Sequence, residues 1–439
     1  MNKILFSILF TAFALTLPAQ NPAPYEFKPV NELAATPVKS QDRTGTCWCF
    51  STTSFLESEA IRRGKGELNL SEMFTVRNIY HQKCENYVRR FGHAQFGEGG
   101  LAHDNLNAVR QFGVVPESVY PGRKDPTQPL NHSALEQQLK TMCDTFIAQA
   151  NREALQEDWL EAIDKALDAE FGPVPVKFEY NNTVFTPTSF RDYLGLNPDD
   201  YVSITSFTHH PFWSNFILEV PDNFSNGQFF NLPLNDLIRC LNYSLQQGYT
   251  VEWDADISNP GFSRNGGLAV VPQADWAGKT AEQVANTFKY WEPEKTVDQQ
   301  YRQSMFDRLE TQDDHLMHIT GIRKESHGGI YYEVKNSWGE RAGLNGYLNV
   351  SEPYMRLNTI SFTVNKSALP PDIRKRMGLE PGDATVEKFP KIGRSDIKKD
   401  TPDPKATPVR DPRMQTVQPK QMKSVPLSKQ SPSAPSSRE

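Results

Sequence analysis

The stretch Gln41-Asp42-Arg43-Thr44-Gly45-Thr46-Cys47-Trp48-Cys49-Phe50-Ser51 reads as a turn feeding a helix, with a cysteine in the first helical turn. Thr44, Gly45 and Thr46 are turn and cap residues. Phe55, Leu56 and Ile61 continue an apolar face broken by small residues, and Arg62, Arg63 and Gly64 supply a stop. A thiol at a helix N-terminus feels the positive end of the dipole, which favours the thiolate. Cys47 is therefore a candidate nucleophile, although the ordinary fate of a free cysteine is inert burial. Three neighbours favour the nucleophile. Gln41 lies near enough for its side-chain N–H to join the backbone N–H of Cys47 around a developing oxyanion. Gly45 permits close approach of a substrate, and Trp48 opens the buried face.

The pattern Gln-x5-Cys-Trp-x-Phe-Ser resembles the nucleophile segment of papain-like cysteine peptidases. It departs at Thr44, where that family has Cys, and at Thr46, where it has Ser or Ala, so one cysteine of a family disulfide is missing. Leu70-Ser71-Glu72, with Ser71 as N-cap of a helix through about Arg90, resembles the next segment of the family. The loop Phe96-Gly97-Glu98-Gly99-Gly100, followed by a helix from about Ala102 to Phe112, keeps the same order. The family's paired glycines border the substrate cleft and bond the substrate backbone, so the resemblance implies that role for Gly99 and Gly100.

Two strand-like runs, from Asp314 to Ile322 and from Gly329 to Gly339, flank Lys324–Gly328 and predict a hairpin. A loop centred near residues 325–326 sets His315 opposite Asn336. An Asn amide oxygen beside an imidazole fixes its tautomer, as a third triad member does, and Trp338 shields the pair from water. His318 points to the other face of its strand and is a structural residue. His315 also has a glycine, Gly321, six residues on, as in the papain family's motif. Asn-Ser-Trp-Gly after a strand is specific in this context.

Cys47 and His315 are 268 residues apart, whereas papain and the cathepsins need about 130–150. The surplus lies in an insertion from about 124 to 308. With this enlarged middle the chain resembles the bleomycin hydrolase and aminopeptidase C family over about residues 30–365. The resemblance implies an α+β, papain-like two-lobed fold, with a helical left lobe, an antiparallel β right lobe and a large mixed insertion. It also implies a Cys47–His315–Asn336 triad helped by Gln41, peptide substrates, aminopeptidase action and a homohexamer. The chemistry needs no metal or organic cofactor. Alternatives are a papain-like endopeptidase and an inactive peptide-binding relative.

Within the insertion, residues 133–169 are helical in composition, and a capped helix spans about 185–193. Tyr201–Thr205 alternates as a strand, residues 234–247 form an amphipathic helix, and a buried strand follows Gly248. His209-His210 suggests metal, but no neighbouring Cys or carboxylate in the sequence completes a ligand set, which favours a structural loop.

A net charge of −6 argues against nucleic acid as a partner. The odd count of five cysteines leaves a thiol free. Residues 1–19 read as a signal peptide, with Lys3 ahead of an apolar run from Ile4 to Leu17. The expected mature protein is exported, periplasmic or secreted, with no membrane span. The peptidase domain is assigned to 20–369 and a disordered Pro/Lys/Ser-rich tail to 370–439. Residues 391–439 hold eight prolines and eleven Lys or Arg against five Asp or Glu, and have no aromatic. Such a tail puts in doubt the family's arrangement, in which the chain's own C-terminus lies in its cleft and directs cleavage to the peptide N-terminus.

Overall fold

A single helix, Cys47–Arg62, has every residue buried. The amphipathic reading therefore understates it. One side packs on the helices Glu72–Arg89 and Ala102–Phe112 and the other on the strands His315–Glu325 and Val251–Ala255. A helix sealed on all sides must pair its own charges, and it does. Glu57 accepts from Lys39 Nζ (3.1 Å), the Leu70 backbone N–H (2.8 Å) and Thr36. Glu59 takes Arg62 bidentately and Asn365 Nδ2 at 2.9 Å. The computed structural model that gives these positions describes residues 23–125, 127–379, 391–396 and 406–408. The signal segment, 1–19, lies outside the described residues.

Among the described residues the main sheet has eleven strands. In order they are Asn215–Ile217, Gln228–Asn231, Tyr201–Thr205, Thr359–Asn365, Val251–Ala255, His315–Glu325, Ile330–Lys335, Tyr347–Ser351, Leu268–Ala269 and Phe262–Ser263, with Phe27–Glu32 joined to the far half of His315–Glu325. All neighbours are antiparallel except two pairs, Tyr201–Thr205 with Gln228–Asn231 and Tyr347–Ser351 with Leu268–Ala269. This is the α+β papain-like architecture. One buried apolar cluster fills the helical lobe and a second fills the sheet. Along the central strand Leu316 joins the helical cluster while Met317 and Ile319 join the sheet cluster, the alternation of a strand with both faces covered.

Within the span 124–308, the strands from Tyr201 to Ala269 are woven into the main sheet. The span's first helical stretch divides into Ser133–Ala150 and Trp159–Phe171, which fold back on each other against the Glu72 helix. The predicted tail is ordered where it is described. Pro371–Arg376 is helical, and 406–408 pairs with Phe178–Tyr180. Residues 391–396 lie on the sheet, with Ala34 N–H donating to Ile392 O at 3.1 Å and Arg394 reaching Glu333 at 2.7 Å. The other tail residues lie outside the described set.

Glu252 is fully buried on the sheet face turned to the central helix, and Ser51 Oγ donates to it at 3.4 Å. Burial pushes its carboxyl up to about 8. The folded form therefore holds a proton that the unfolded chain releases above about pH 4.3, and stability falls as pH rises from there through about 8. Glu252→Gln should match the natural chain near pH 4 and exceed it progressively towards pH 8. Denaturant midpoints across that range would measure the difference.

Candidate active site

The turn before Cys47 is tied internally and to the sheet. Thr44 Oγ1 donates to Gln41 O at 2.8 Å and pairs with Thr46 Oγ1 at 2.5 Å, so Thr46 occupies the N-cap position without a side-chain cap. The Gln41 N–H donates to Ser337 O at 2.9 Å, and Gly339 N–H to Lys39 O at 3.1 Å. This short seam carries the Gln41 side chain. Its Oε1 accepts from Ser337 Oγ at 2.6 Å, and its Nε2 donates to Thr44 O at 2.7 Å. An amide nitrogen has two hydrogens, so one remains.

Cys47 is 8% exposed at the helix start, and its sulfur takes the backbone N–H of Leu316, the residue after His315. His315 is 4% exposed. Its Nε2 lies 2.8 Å from Asn336 Oδ1. That atom also accepts the Ser337 backbone N–H at 2.7 Å, so it is the oxygen of the amide. Nε2 therefore carries the proton, and Nδ1 is the basic nitrogen. The Trp338 ring stacks on the imidazole with centroids 4.7 Å apart, and Arg264 covers the Trp338 ring.

The hairpin register differs from the predicted one. His318 pairs with Lys335 and Gly321 with Glu333, across a bulge at Thr320, and His315 faces Ala255 on the other edge. Asn336 meets the imidazole because it lies just past its strand's end and reaches back. His318 is buried against the central helix, its Nδ1 2.9 Å from Ser54 Oγ, which also accepts from Lys335 Nζ at 2.8 Å.

The expectation of a thiolate is reversed in the free protein. Burial pushes the Cys47 thiol up to about 12, against the lowering effect of the Leu316 N–H, and Asp222, Asp313 and Asp254 add to the rise. Burial also takes the His315 imidazole down to about 4, against its bond to Asn336. Desolvation outweighs the helix dipole, and both groups rest neutral.

The glycine loop packs directly on this seam. Trp48 Nε1 donates to Glu98 O at 3.0 Å, and Gly45 N–H donates to Glu98 Oε2 at 2.6 Å. A Cβ on Gly100 would sit 3.2 Å from the Trp48 ring, and one on Gly99 would lie 2.1 Å from Asp222 Oδ2. Sequence reasoning missed Asp222, Ser337 and Lys83. Ser337 sits inside a motif already singled out, but its partner is 296 positions away. Lys83, buried in the Glu72–Arg89 helix, donates to Gly97 O at 2.8 Å and to Gly99 O.

All five cysteines are buried free thiols. The two adjacent histidines do have a carboxylate partner, contrary to the sequence reading: Glu219 is 2.7 Å from His210 Nε2 and 3.3 Å from His209 Nε2. Gln303, oriented by the Thr208 N–H and Asp307, donates to His209 Nδ1 at 3.1 Å. His209 Nε2 faces Glu219. The trio is a hydrogen-bonded clasp on its loop.

This architecture, with a cysteine opening the central helix at a histidine-bearing strand, is that of the cysteine-type peptidases of papain-like fold. The chain belongs to the Peptidase C1-like family, whose profile matches residues 87–385 and so takes in His315 and Asn336 and begins after Cys47. Aminopeptidase C of Lactococcus lactis subsp. lactis is 22% identical over 378 residues, covering 77% of this chain and 82% of its own. Aminopeptidase C of Listeria monocytogenes is 23% identical over 425 residues, covering 87% and 92%. Aminopeptidase G of Lactobacillus delbrueckii subsp. lactis is 24% identical over 391 residues, covering 80% and 85%. The crystal structure of PepW from Lactobacillus rhamnosis superposes with a TM-score of 0.64 at 19% identity, over 80% of this chain and 84% of that one; this is a likeness of fold.

Lys83→Met would strip the ammonium from the Gly97 and Gly99 carbonyls, at a cost of about 1–3 kcal/mol for buried groups left unpaired. A lower denaturant midpoint and faster proteolysis at residues 95–100 are expected.

Proposed function

We propose that the chain is a cysteine aminopeptidase in which Cys47, His315 and Asn336 act as the triad and Gln41 as an oxyanion donor. The observation that carries this reading is the 2.8 Å bond between His315 Nε2 and Asn336 Oδ1, which leaves Nδ1 basic on the strand whose next N–H meets the Cys47 sulfur. The sulfur attacks the peptide carbonyl carbon as its proton passes to Nδ1, so the two groups become charged together, each the other's counter-ion. The remaining Gln41 Nε2–H and the Cys47 backbone N–H hold the oxyanion. Collapse breaks the C–N bond, and Nδ1–H protonates the leaving amine. Water, deprotonated by the same nitrogen, hydrolyses the thioester and frees the thiol. Asn336 keeps the ring in one tautomer throughout, and Trp338 keeps water from its edge.

The names of the relatives support removal of N-terminal residues. Export is proposed on the segment from Met1 to Ala19, and a hexamer on the resemblance alone. Mass analysis of the mature N-terminus and light scattering test these two readings.

Cys47→Ala should abolish hydrolysis and labelling by a thiol-directed epoxide. Asn336→Ala and Gln41→Ala should each lower kcat by about 10²–10³-fold without unfolding the chain. An unblocked ten-residue peptide should shorten one residue at a time from its N-terminus. Internal cuts from the first time point would replace the aminopeptidase reading with an endopeptidase one. Because His315 works as the neutral base and its pKa lies near 4, kcat/KM should hold down to about pH 5 and fall below about 4.

A further inference from the structure

Two helices of the helical lobe bring a pair of thiols together. Cys84 lies on Glu72–Arg89 and Cys143 on Ser133–Ala150, 59 positions apart, and both are fully buried. The Cys143 thiol donates to the Cys84 carbonyl oxygen at 4.0 Å, and the two side chains are themselves within hydrogen-bonding reach. One turn on, Tyr87 Oη donates to Asp144 Oδ1 at 3.0 Å, and Lys140 Nζ, which lies over the Tyr87 ring, donates to Asp144 Oδ2 at 2.7 Å. These bonds fix the register of the two helices next to the pair. The other three thiols have different surroundings. Cys47 meets the Leu316 N–H, Cys49 donates to Glu72 O at 3.3 Å, and Cys240 lies in the apolar cluster of the sheet.

The Cys143 thiol, and after it burial, hold the Cys84 thiol well above its ordinary range. In the closed lobe this thiol is protonated and inert, so a bond between the two must form while the helices are still apart. The segment between the cysteines gives such a bond a use. It carries the glycine loop, the helix Ala102–Phe112 and Leu130, whose carbonyl accepts the Arg43 N–H at 3.0 Å in the turn before Cys47. Lys83, beside Cys84, holds the Gly97 and Gly99 carbonyls of the loop that packs on Trp48. Joining the ends of so long a segment removes conformations from the unfolded chain and ties down one wall of the site. A chain with a leader of the kind read in residues 1–19 folds in a compartment where disulfides form.

We propose that Cys84 and Cys143 close into a disulfide as the chain folds in the presence of a disulfide oxidant, clipping the helix that bears Lys83 to the helix Ser133–Ala150. The Cys84 thiolate attacks one sulfur of the oxidant and expels one thiolate. The Cys143 thiolate then attacks the Cys84 sulfur of the mixed disulfide and expels the second. The oxidant takes up two electrons and both protons, leaving as two thiols, and Cys47 keeps its own thiol. The inference needs no particular activity at Cys47, and it draws its oxidant from the export reading.

The test uses the full chain in two preparations, one made in cells with residues 1–19 in place, the other refolded from denaturant in a mixture of glutathione and glutathione disulfide. Each is alkylated under denaturing conditions, digested without reductant and analysed by mass. In both, the peptide carrying Cys84 should be joined to the one carrying Cys143, with Cys47, Cys49 and Cys240 alkylated. Reductant should lower the melting temperature by about 5 °C or more. Cys143→Ala should melt at the lower temperature with or without reductant and should still label at Cys47 with the epoxide. The peptide map needs no variant, so it decides the matter if Cys143→Ala does not fold. Alkylation of both Cys84 and Cys143 in the refolded chain, or a bond from either to another cysteine, overturns the disulfide. A melting temperature that reductant leaves unchanged overturns the clip. A bond in the refolded chain beside free thiols in the cellular one supports the disulfide and overturns export. A bonded chain whose Cys47 resists the epoxide supports the disulfide and overturns the peptidase reading.

Discussion

The structure depends on one helix having no solvent face. Cys47–Arg62 is enclosed by helices on one side and by the sheet on the other, so each charge it carries must find its counter-charge inside the protein. Glu57 meets this need through Lys39, which also binds Glu72 Oε1 at 2.6 Å, and Glu59 through Arg62. Breaking one member of such a set strands a desolvated charge, which costs about 3–5 kcal/mol. The cross-links fix the helix in both rotation and height. The position of Cys47 follows, because the sulfur sits at the helix's first residue and cannot move without the charged set moving too.

The same enclosure sets the electrostatics of the site. A low-dielectric seam penalises an isolated thiolate and an isolated imidazolium alike, and that is why burial outweighs the hydrogen bonds at both Cys47 and His315. The hydrogen bonds around them serve to orient. Asn336 Oδ1 binds Nε2 and the Ser337 N–H, Ser337 Oγ binds Gln41, and Gln41 binds the Thr44 carbonyl. One unbroken chain of hydrogen bonds therefore runs from the imidazole to the turn that presents the thiol. Movement at either end is transmitted to the other, and residues 336–339 connect the two halves of the seam.

Much of this was legible in the sequence because it is local. The turn before Cys47, the Ser71 cap, the stop at Gly113 and the Thr186 capping box all follow from residues within a few positions of one another. The hairpin register was not legible, for a nonlocal reason. Lys324 and Glu325 read as loop, yet they stay extended because Lys28 and Phe27 pair with them from almost 300 residues away. The strand therefore runs further than its own composition requires, and the turn moves with it. The total burial of the central helix was hidden in the same way, since Glu57 and Glu59 look like solvent-facing residues until Lys39 and Asn365 are brought to them. Asp222 was invisible because nothing near it in sequence records that its carboxylate will lie on Gly99.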